Sequence, residues 1–307
     1  MEDQTNVLIL GATGQVGTEL MRQGWPAWIK VHAPCRGELD LANEGAVDEI
    51  VSSRRWGCVI NVAAYTAVDN AETDVGSAWR VNALAPALLA AATARSRTPI
   101  IHVSTDYVFD GESGRPYQPD DPVRPKSVYG ASKAGGEHAV RTANPRHVIV
   151  RTSWVFSPHR SNFVKTMLRL AAERDVLRVV DDQHGCPTSA ADLASALMTI
   201  CRRLVDDPTG PCGTYHFANA GETTWCGLAR EIMARARQRG IRSVPVEAIA
   251  TADFVTRAVR PANSVLATDS LMRDYAIRPR PWQQALDEVL DALQHDLVHA
   301  IDRPPST

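Results

Sequence analysis

The chain alternates between short apolar runs and longer segments that carry Ala, Val and Leu at helical spacing. Apolar strands that alternate with helices are typical of a parallel sheet buried on both faces. The predicted strands are 7–10, 29–33, 58–62, 99–104 and 147–152, and the helices between them are 44–54, 72–95 and 127–141.

Three glycines follow the first predicted strand and precede a helical segment. Gly11, Gly14 and Gly17 form the pattern G-x-x-G-x-x-G. Glycines let the backbone approach a pyrophosphate closely, and the pyrophosphate then lies at the positive end of the helix. The position of this turn predicts a dinucleotide-binding, Rossmann-like sheet.

A second pattern, Tyr-x-x-x-Lys, lies on the predicted helix 127–141. The spacing of Tyr129 and Lys133 places both side chains on one helix face. An ammonium beside a phenol favours the phenolate, so we expect Lys133 to lower the pKa of Tyr129 from about 10. A phenol tuned in this way is a suitable proton donor to a carbonyl that receives hydride.

Polar side chains follow the predicted strand 99–104, where Ser104, Thr105 and Asp106 stand in sequence. In open α/β sheets the ligand crevice lies beyond the carboxyl ends of the strands. We therefore expect these three side chains to face the substrate.

After residue 155 the alternation of predicted strands and helices becomes less regular. The predicted helices there are 162–173, 190–204, 224–239 and 282–297, with short strands at 177–180 and 214–217. The sequence predicts an α/β protein with a Rossmann-like doubly wound parallel sheet. Its NAD(P)-binding core spans 1–155, and a smaller, mostly helical substrate-binding region spans 156–307, some segments of which return to the core.

Composition excludes several classes of protein. The 307 residues are 44% hydrophobic with a formal net charge of -2, which excludes disorder and argues against a nucleic-acid partner. No apolar stretch is long enough to span a membrane, and the N-terminus lacks the pattern of a signal peptide. The six cysteines are scattered without metal-ligand spacing. We expect a cytoplasmic protein with reduced thiols, no membrane or nucleic-acid partner, and no metal.

Together these patterns resemble the extended short-chain dehydrogenases/reductases, and more narrowly the dTDP-4-dehydrorhamnose reductase family. The glycine turn and Tyr-x-x-x-Lys are shared by a very large superfamily. The more specific segments are Asn-Val-Ala-Ala-Tyr-Thr-Ala-Val-Asp at 61–69, Arg-Thr-Ser-Trp-Val-Phe at 151–156, Asp-Gln-His-Gly-Cys-Pro-Thr at 182–188 and Arg-Pro-Ala-Asn-Ser at 260–264.

The resemblance implies NADPH-dependent reduction of the C4 ketone of dTDP-4-dehydro-6-deoxy-L-mannose (dTDP-4-dehydro-L-rhamnose) to dTDP-L-rhamnose. Two alternatives remain open at this point. One is a 4-ketoreductase of another dTDP-deoxysugar, as in antibiotic sugar pathways. The other is a non-catalytic NADP-binding regulatory subunit, which the presence of both Tyr129 and Lys133 disfavours.

The resemblance also implies roles for individual residues. Thr105 and Tyr129 would hold the ketone oxygen, Tyr129 would donate the proton, and Lys133 would bind the nicotinamide ribose. Substrate contacts would come from Val68 and Trp154, in addition to Ser104, Thr105, Asp106 and Tyr129. The implied cofactor contacts, besides Lys133, are Gly11, Gly14, Gln15, Val16, Gly17, Asp40, Leu41, Ala63, Ala64 and Tyr65.

One feature of the family that this chain resembles is incomplete in this sequence. Some members bind Mg²⁺ at a dimer contact through two acidic positions. Glu19 matches the first, but Ser189-Ala190-Ala191-Asp192 has alanine where glutamate is expected. Loss of a carboxylate removes charge and a ligand together, so Mg²⁺ is not expected. Both a monomer and a homodimer stay open.

The end of the second strand predicts the cofactor preference. An acidic side chain there would bind the adenosine ribose of NAD. Here no carboxylate follows the strand before Glu38, whereas Arg36 is placed to meet a 2′-phosphate. We expect NADPH to be preferred, with NADH still usable.

Overall fold

A computed structural model describes residues 4–301. Residues 1–3 of the predicted cofactor-binding core and residues 302–307 of the predicted substrate-binding region lie outside the described residues. The N-terminal segment without a signal-peptide pattern therefore also begins outside them. The strands are β1 (Thr5–Leu10), β2 (Ile29–His32), β3 (Cys58–Asn61), β4 (Ile100–Thr105), β5 (His147–Thr152), β6 (Val155–Phe156), β7 (Leu177–Val180), β8 (His184–Gly185), β9 (Thr188–Ser189), β10 (Gly213–His216), β11 (Thr223–Thr224), β12 (Val246–Ile249) and β13 (Asn263–Ser264).

The α-helices alternate with the strands of the first half and dominate the second half. They are α1 (Gln15–Arg22), α2 (Glu44–Ser52), α3 (Val68–Ala71), α4 (Val75–Trp79), α5 (Ala85–Arg95), α6 (Val128–Ala143), α7 (Phe163–Glu173), α8 (Ala190–Asp206), α9 (Trp225–Gln238), α10 (Asp269–Tyr275) and α11 (Trp282–Ile301). A π-helical turn, Arg80–Leu84, joins α4 to α5.

Six parallel strands form the central sheet in the order β10-β5-β4-β3-β1-β2. The chain therefore passes from β1 to β2 on one side and continues through β3, β4 and β5 on the other. This reversal between β1 and β3 is the switch point at which doubly wound sheets bind ligands. The predicted Rossmann-like parallel sheet is confirmed.

The alternation of side chains along β1 explains why the sheet carries helices on both faces. Val7 and Ile9 pack into one core cluster with α8, whereas Leu8 and Leu10 pack into another with α2 and α5. All four side chains are at most 2% exposed. A strand with both faces buried in this way needs a continuous apolar run, which is the pattern the sequence shows.

The second half of the chain builds a separate core cluster from α7, α9, α11, β7 and β12. However, α8 and β10 also come from this half and pack on or join the six-stranded sheet. The division into 1–155 and 156–307 stays a prediction about domains; the central sheet itself draws strands from both sides of residue 155.

Several elements differ from the sequence-based expectation, and α10 and some short strands lie in stretches for which none is predicted. The single helix predicted at 72–95 is interrupted by the π-helical turn, and β12 lies in a stretch for which no element is predicted. Apolar periodicity does not distinguish a π turn from an α turn, because one inserted residue leaves the same side chains apolar. Within residues 4–301 no helix combines the length and the apolar character needed to cross a membrane.

Candidate active site

The predicted cofactor turn lies between β1 and α1 and presses against the loop after β3. Gly11 has a φ of 86°, and a Cβ at this position would lie 2.6 Å from the backbone nitrogen of Ala63. A Cβ on Gly17 would lie 2.1 Å from the carbonyl oxygen of Gly11. The turn can therefore form only with glycine at these positions. It brings the first amides of α1 beside the switch point, and α1 has no acidic residue in its first turn.

The side chain of Gln15 contacts the second half of the chain. Its Oε1 accepts hydrogen bonds from Ser157 Oγ at 2.8 Å and from Asn162 Nδ2 at 3.0 Å. Arg160 Nε donates to the carbonyl oxygen of Thr13 at 2.7 Å. The segment 157–162 therefore lies against the glycine turn, and it brings a guanidinium to it. Sequence reasoning missed this contact, because it joins residues more than 140 positions apart.

The loop after β3 carries Ala63, Ala64 and Tyr65 at the same edge of the sheet. Asn82, in the π-helical turn, accepts a hydrogen bond from the Tyr65 backbone nitrogen at 2.8 Å and donates to the Tyr65 carbonyl oxygen at 3.1 Å. Its Nδ2 also donates to Ser132 Oγ of α6 at 3.0 Å. The π turn thus fixes the loop relative to α6.

The loop after β2 carries the three remaining predicted cofactor residues. Arg36 and Asp40 are exposed, and Leu41 is half-buried against the core beneath α2. Asp40 Oδ1 accepts from the Ala42 backbone nitrogen. Among the described residues the Arg36 guanidinium has no hydrogen bond or ion pair, so its donors are available to an anion.

Thr105 and Tyr129 are brought together where β4 ends and α6 begins. Ser127 caps α6 by accepting from the Gly130 backbone nitrogen, which places Tyr129 in the first turn. Tyr129 is 8% exposed and packs with Val68, Tyr107 and Tyr65. Burial raises the pKa of Tyr129 above its ordinary value; hydrogen bonding to Thr105 opposes this, and the nearby Asp106 carboxyl adds to it.

Lys133 follows Tyr129 by one helical turn but points its ammonium at β4. Its Nζ donates to the Val103 carbonyl oxygen at 2.7 Å and lies 3.4 Å from His102 Nε2. Burial lowers the pKa of Lys133 to about 8, although the Glu137 carboxylate opposes this. The expectation that Lys133 lowers the pKa of Tyr129 is wrong in this structure, because the phenol is governed by burial and by Thr105 and Asp106.

Two hydroxyls at this edge are buried without a partner. Ser104 Oγ on β4 and Thr152 Oγ1 on β5 have no hydrogen bond to any described residue. The neighbouring Asp106 accepts from Thr105 Oγ1 at 2.9 Å, and burial raises the pKa of Asp106 to about 6. Buried polar groups are normally satisfied, so this edge suits a polar ligand.

Trp154 follows β5 and adopts a φ of 49°, which is unusual for an aromatic residue. Its ring stacks on that of Trp225, with centroids 3.6 Å apart and planes 12° from parallel. Gly185 comes so close that a Cβ there would lie 2.6 Å from the Trp154 ring. Strain of this kind, held by packing on two sides, is typical of functional positions. Sequence reasoning missed Trp225.

A second group that sequence reasoning missed surrounds Arg260, within the Arg-Pro-Ala-Asn-Ser segment. Arg260 Nη1 donates to Tyr107 Oη at 2.9 Å, and Arg260 Nη2 donates to Asp69 Oδ2 at 2.5 Å. The ring of Tyr107 lies edge-on to that of Tyr129, with centroids 5.5 Å apart. Arg260 therefore connects the segment at 260–264 to α3 and to Tyr107, whose ring contacts that of Tyr129.

Glu19, and Asp192 next to the second acidic position of the family, both have partners within this chain. Glu19 lies 3.1 Å from His159 Nε2, and Asp192 lies 2.9 Å from Arg280 Nη2 and accepts from Asn219 Nδ2 at 2.6 Å. Among residues 4–301 no group of three or more His, Cys, Asp or Glu side chains has the arrangement of a metal site.

Comparison with known proteins identifies the family. Residues 5–295 match the sequence model of the RmlD substrate binding domain. A dTDP-4-dehydrorhamnose reductase of Aggregatibacter actinomycetemcomitans is 43% identical over 286 residues, which cover 92% of this chain and 97% of that protein. The chain belongs to the dTDP-4-dehydrorhamnose reductase family.

Solved structures of the family have the same fold. The crystal structure of a Clostridium acetobutylicum dTDP-4-dehydrorhamnose reductase superposes with a TM-score of 0.87 at 38% identity, over 94% of this chain and all of that one. The Bacillus anthracis enzyme, solved in complex with NADP, gives a TM-score of 0.86 at 33% identity, over 94% and 99% of the two chains. The family resemblance drawn from the sequence motifs is confirmed.

Proposed function

We propose that this protein reduces the C4 ketone of dTDP-4-dehydro-6-deoxy-L-mannose to dTDP-L-rhamnose with NADPH. The observation that carries the proposal is the match of residues 5–295 to this family, and it is supported by the position of Thr105 at the end of β4 and of Tyr129 and Lys133 on α6, which packs on β4. Tyr129 and Lys133 are both present and buried, one helical turn apart on α6, which disfavours a non-catalytic regulatory subunit.

Tyr129 is suited to donate the proton. A pKa raised by burial keeps the phenol protonated at neutral pH, as a proton donor to a developing alkoxide must be. Thr105, which hydrogen-bonds to that phenol, would hold the same ketone oxygen. Val68 packs beside Tyr129 and would shape the sugar pocket, whereas Trp154, Ser104 and Asp106 would complete it.

The residues around the glycine turn fit a dinucleotide. Gly11, Gly14, Gln15, Val16 and Gly17 would hold the pyrophosphate, where the Gly11–Ala63 contact leaves no room for a side chain. When bound, NADPH supplies the hydride. The other residues that would contact it are Arg36 at the 2′-phosphate, Asp40 and Leu41 beside the adenine, Ala63, Ala64 and Tyr65 along the cofactor, and Lys133 at the nicotinamide ribose.

The direct test is NADPH oxidation by the purified protein with dTDP-4-dehydro-L-rhamnose, followed by identification of the product. dTDP-L-rhamnose as the product supports the proposal. Its C4 epimer, or turnover only with another dTDP-4-keto-6-deoxyhexose, would assign the protein to a related deoxysugar pathway. We propose a cytoplasmic location for the enzyme, as monomer or homodimer.

Tyr129→Phe removes the proposed proton donor and little volume. Because general acid catalysis contributes about 10²- to 10⁴-fold, kcat should fall by at least about 10² while the Kd for NADPH changes little. Tyr215→Phe, which removes the hydroxyl of a tyrosine that bonds to Asp274 and has no role in the proposed reaction, is the matched control and should keep most of the activity. A Tyr129→Phe variant within a factor of a few of the parent would remove Tyr129 from the mechanism.

A further inference from the structure

A buried polar chain runs beneath the site, from the loop after β3 to the amine of Lys133. Asn61 is the last residue of β3 and pairs in register with His102 of β4, so that both lie side by side in the sheet. Asn61 is 1% exposed, His102 is 0% exposed and Lys133 is 1% exposed. The reaction proposed above assigns no role to Asn61 or His102.

The backbone fixes the orientation of the Asn61 amide. The Ala63 backbone N–H lies 3.1 Å from Asn61 Oδ1 and can only donate, so this oxygen is the acceptor and the amide NH₂ faces the other way. Asn61 Nδ2 then lies 3.2 Å from His102 Nδ1 and donates to it.

This donation determines the tautomer of His102. A nitrogen that accepts a hydrogen bond carries no proton, so the proton of the neutral imidazole is on Nε2. Burial is the main cause that lowers the pKa of His102 well below its ordinary value, so the ring is neutral. The Nε2–H therefore faces Lys133 Nζ across 3.4 Å.

Two donors that face each other disfavour the charged lysine. An ammonium offers three donors and no lone pair, whereas a neutral amine can accept the Nε2–H. The Val103 carbonyl oxygen, 2.7 Å from Nζ, satisfies only one ammonium proton. The His102 ring thus favours the neutral amine and holds it at β4.

The other charged and titratable groups that pack around Lys133 do not take over the effect of His102 on the amine. On α6, Glu137 favours the charged amine but is held by Arg151 of β5 in a bidentate ion pair, and both side chains are 1% exposed. Tyr129 lies one turn earlier on α6, and its own pKa is governed by burial, Thr105 and Asp106.

We propose that His102, locked by Asn61 with its proton on Nε2, is a positioning residue that sets the protonation state and the placement of the Lys133 amine. The inference rests on the proposed function only for the catalytic role of Lys133. Because Asn61 also holds the Ala63 backbone, the same two residues connect the predicted cofactor loop to the lysine.

The tautomer can be measured on the protein without cofactor or substrate. Nitrogen-15 spectra of the nine histidines, with the His102 signals assigned by their loss in His102→Phe or His102→Gln, report which ring nitrogen carries the proton. We expect the neutral Nε2–H form at pH 7. An Nδ1–H form or an imidazolium would overturn the proposal, whatever the activity assay shows.

The coupling to Lys133 can be measured by carbon-13 labelling of lysine, because the chain has only Lys30, Lys126, Lys133 and Lys165. Lys133→Met assigns the signal, and the other three serve as internal controls. Asn61→Asp replaces the donor to Nδ1 by an acceptor, so that His102 Nε2 turns its lone pair toward the ammonium. The Lys133 titration midpoint should rise by at least about one pH unit.

A carboxylate could raise this midpoint by charge alone, and a double-mutant cycle separates the two effects. In a His102→Phe background, Asn61→Asp should shift the midpoint by less than about half as much. Equal shifts of the Lys133 midpoint in both backgrounds would show that His102 does not couple Asn61 to Lys133, and would overturn the proposal. If Asn61→Asp does not fold, the tautomer in the parent protein still decides the question.

Discussion

At the residue scale, few contacts within the protein hold the side chains of Arg36 and Asp40, which are predicted to bind the adenosine end of the cofactor. Both are exposed, and the Asp40 carboxylate is engaged by the Ala42 backbone nitrogen. The discrimination between NADPH and NADH that we propose for this position would therefore depend on charge rather than on a shaped pocket. An exposed guanidinium binds a phosphate with an affinity that salt weakens.

Arg36→Ala should lower the preference for NADPH. Removal of the cation from the 2′-phosphate should reduce the ratio of kcat/KM for NADPH to that for NADH by about tenfold, because a charge-assisted hydrogen bond contributes about 1.5–3 kcal/mol and exposure reduces this. Arg55→Ala, at another exposed arginine, is the matched control. A ratio unchanged by Arg36→Ala, or one that favours NADH in the parent, would contradict the assignment.

Trp154→Ala should weaken sugar-nucleotide binding more than cofactor binding. The stacked ring is expected to supply contact area that alanine lacks, so the KM for the dTDP-sugar should rise about tenfold or more while the Kd for NADPH changes little. Trp154→Phe keeps an aromatic surface and should have a smaller effect. An unfolded circular dichroism spectrum for Trp154→Ala would instead show that the Trp154–Trp225 stack serves core packing.

At the scale of elements, the junction of α6 with β5 depends on a buried ion pair. Arg151 Nε and Nη2 donate to the two carboxylate oxygens of Glu137 at 2.9 and 2.7 Å, and the Arg151 guanidinium also lies 4.8 Å from the Phe109 ring centroid. Such a pair is costly to desolvate and costlier to break, because the remaining charge stays buried.

Glu137→Gln should therefore destabilise the protein by about 3–5 kcal/mol, measured by urea denaturation. The paired replacement Glu137→Leu with Arg151→Met removes both charges and should recover much of that loss. Equal destabilisation by the single and the double variant would show that packing, and not the uncompensated charge, holds α6 on β5.

The elements themselves were largely predictable, whereas their side-chain contacts were not. Apolar runs as clear as Val7–Leu10 predict strands, and parallel order places Thr105 beside the start of α6. No local pattern shows that Lys133 turns to Val103, because that direction depends on the packing of α6 against β4. The same holds for Trp225 and Arg260, whose partners are far away in the sequence.

At the scale of the whole molecule, both halves of the chain contribute to the core cluster on one face of the central sheet. Helix α8 contributes Leu193, Leu197, Ile200 and Leu204, each at most 1% exposed, to the cluster beneath β1, β3 and β4. The contact of Gln15 with Ser157 and Asn162 adds a polar connection at the glycine turn.

A fragment of residues 1–155 should consequently fail to fold, although it contains the entire glycine turn and Tyr129. Burial of a large aliphatic side chain contributes about 1.5–3 kcal/mol, so loss of these four side chains of α8 costs about 6–12 kcal/mol. That is comparable with the whole stability of a typical domain, about 5–15 kcal/mol, even before the loss of β10. We expect the fragment to lack a cooperative thermal transition and NADPH binding, whereas the full chain should unfold in a single transition. A fragment that melts cooperatively and binds NADPH would instead establish 1–155 as an independent domain.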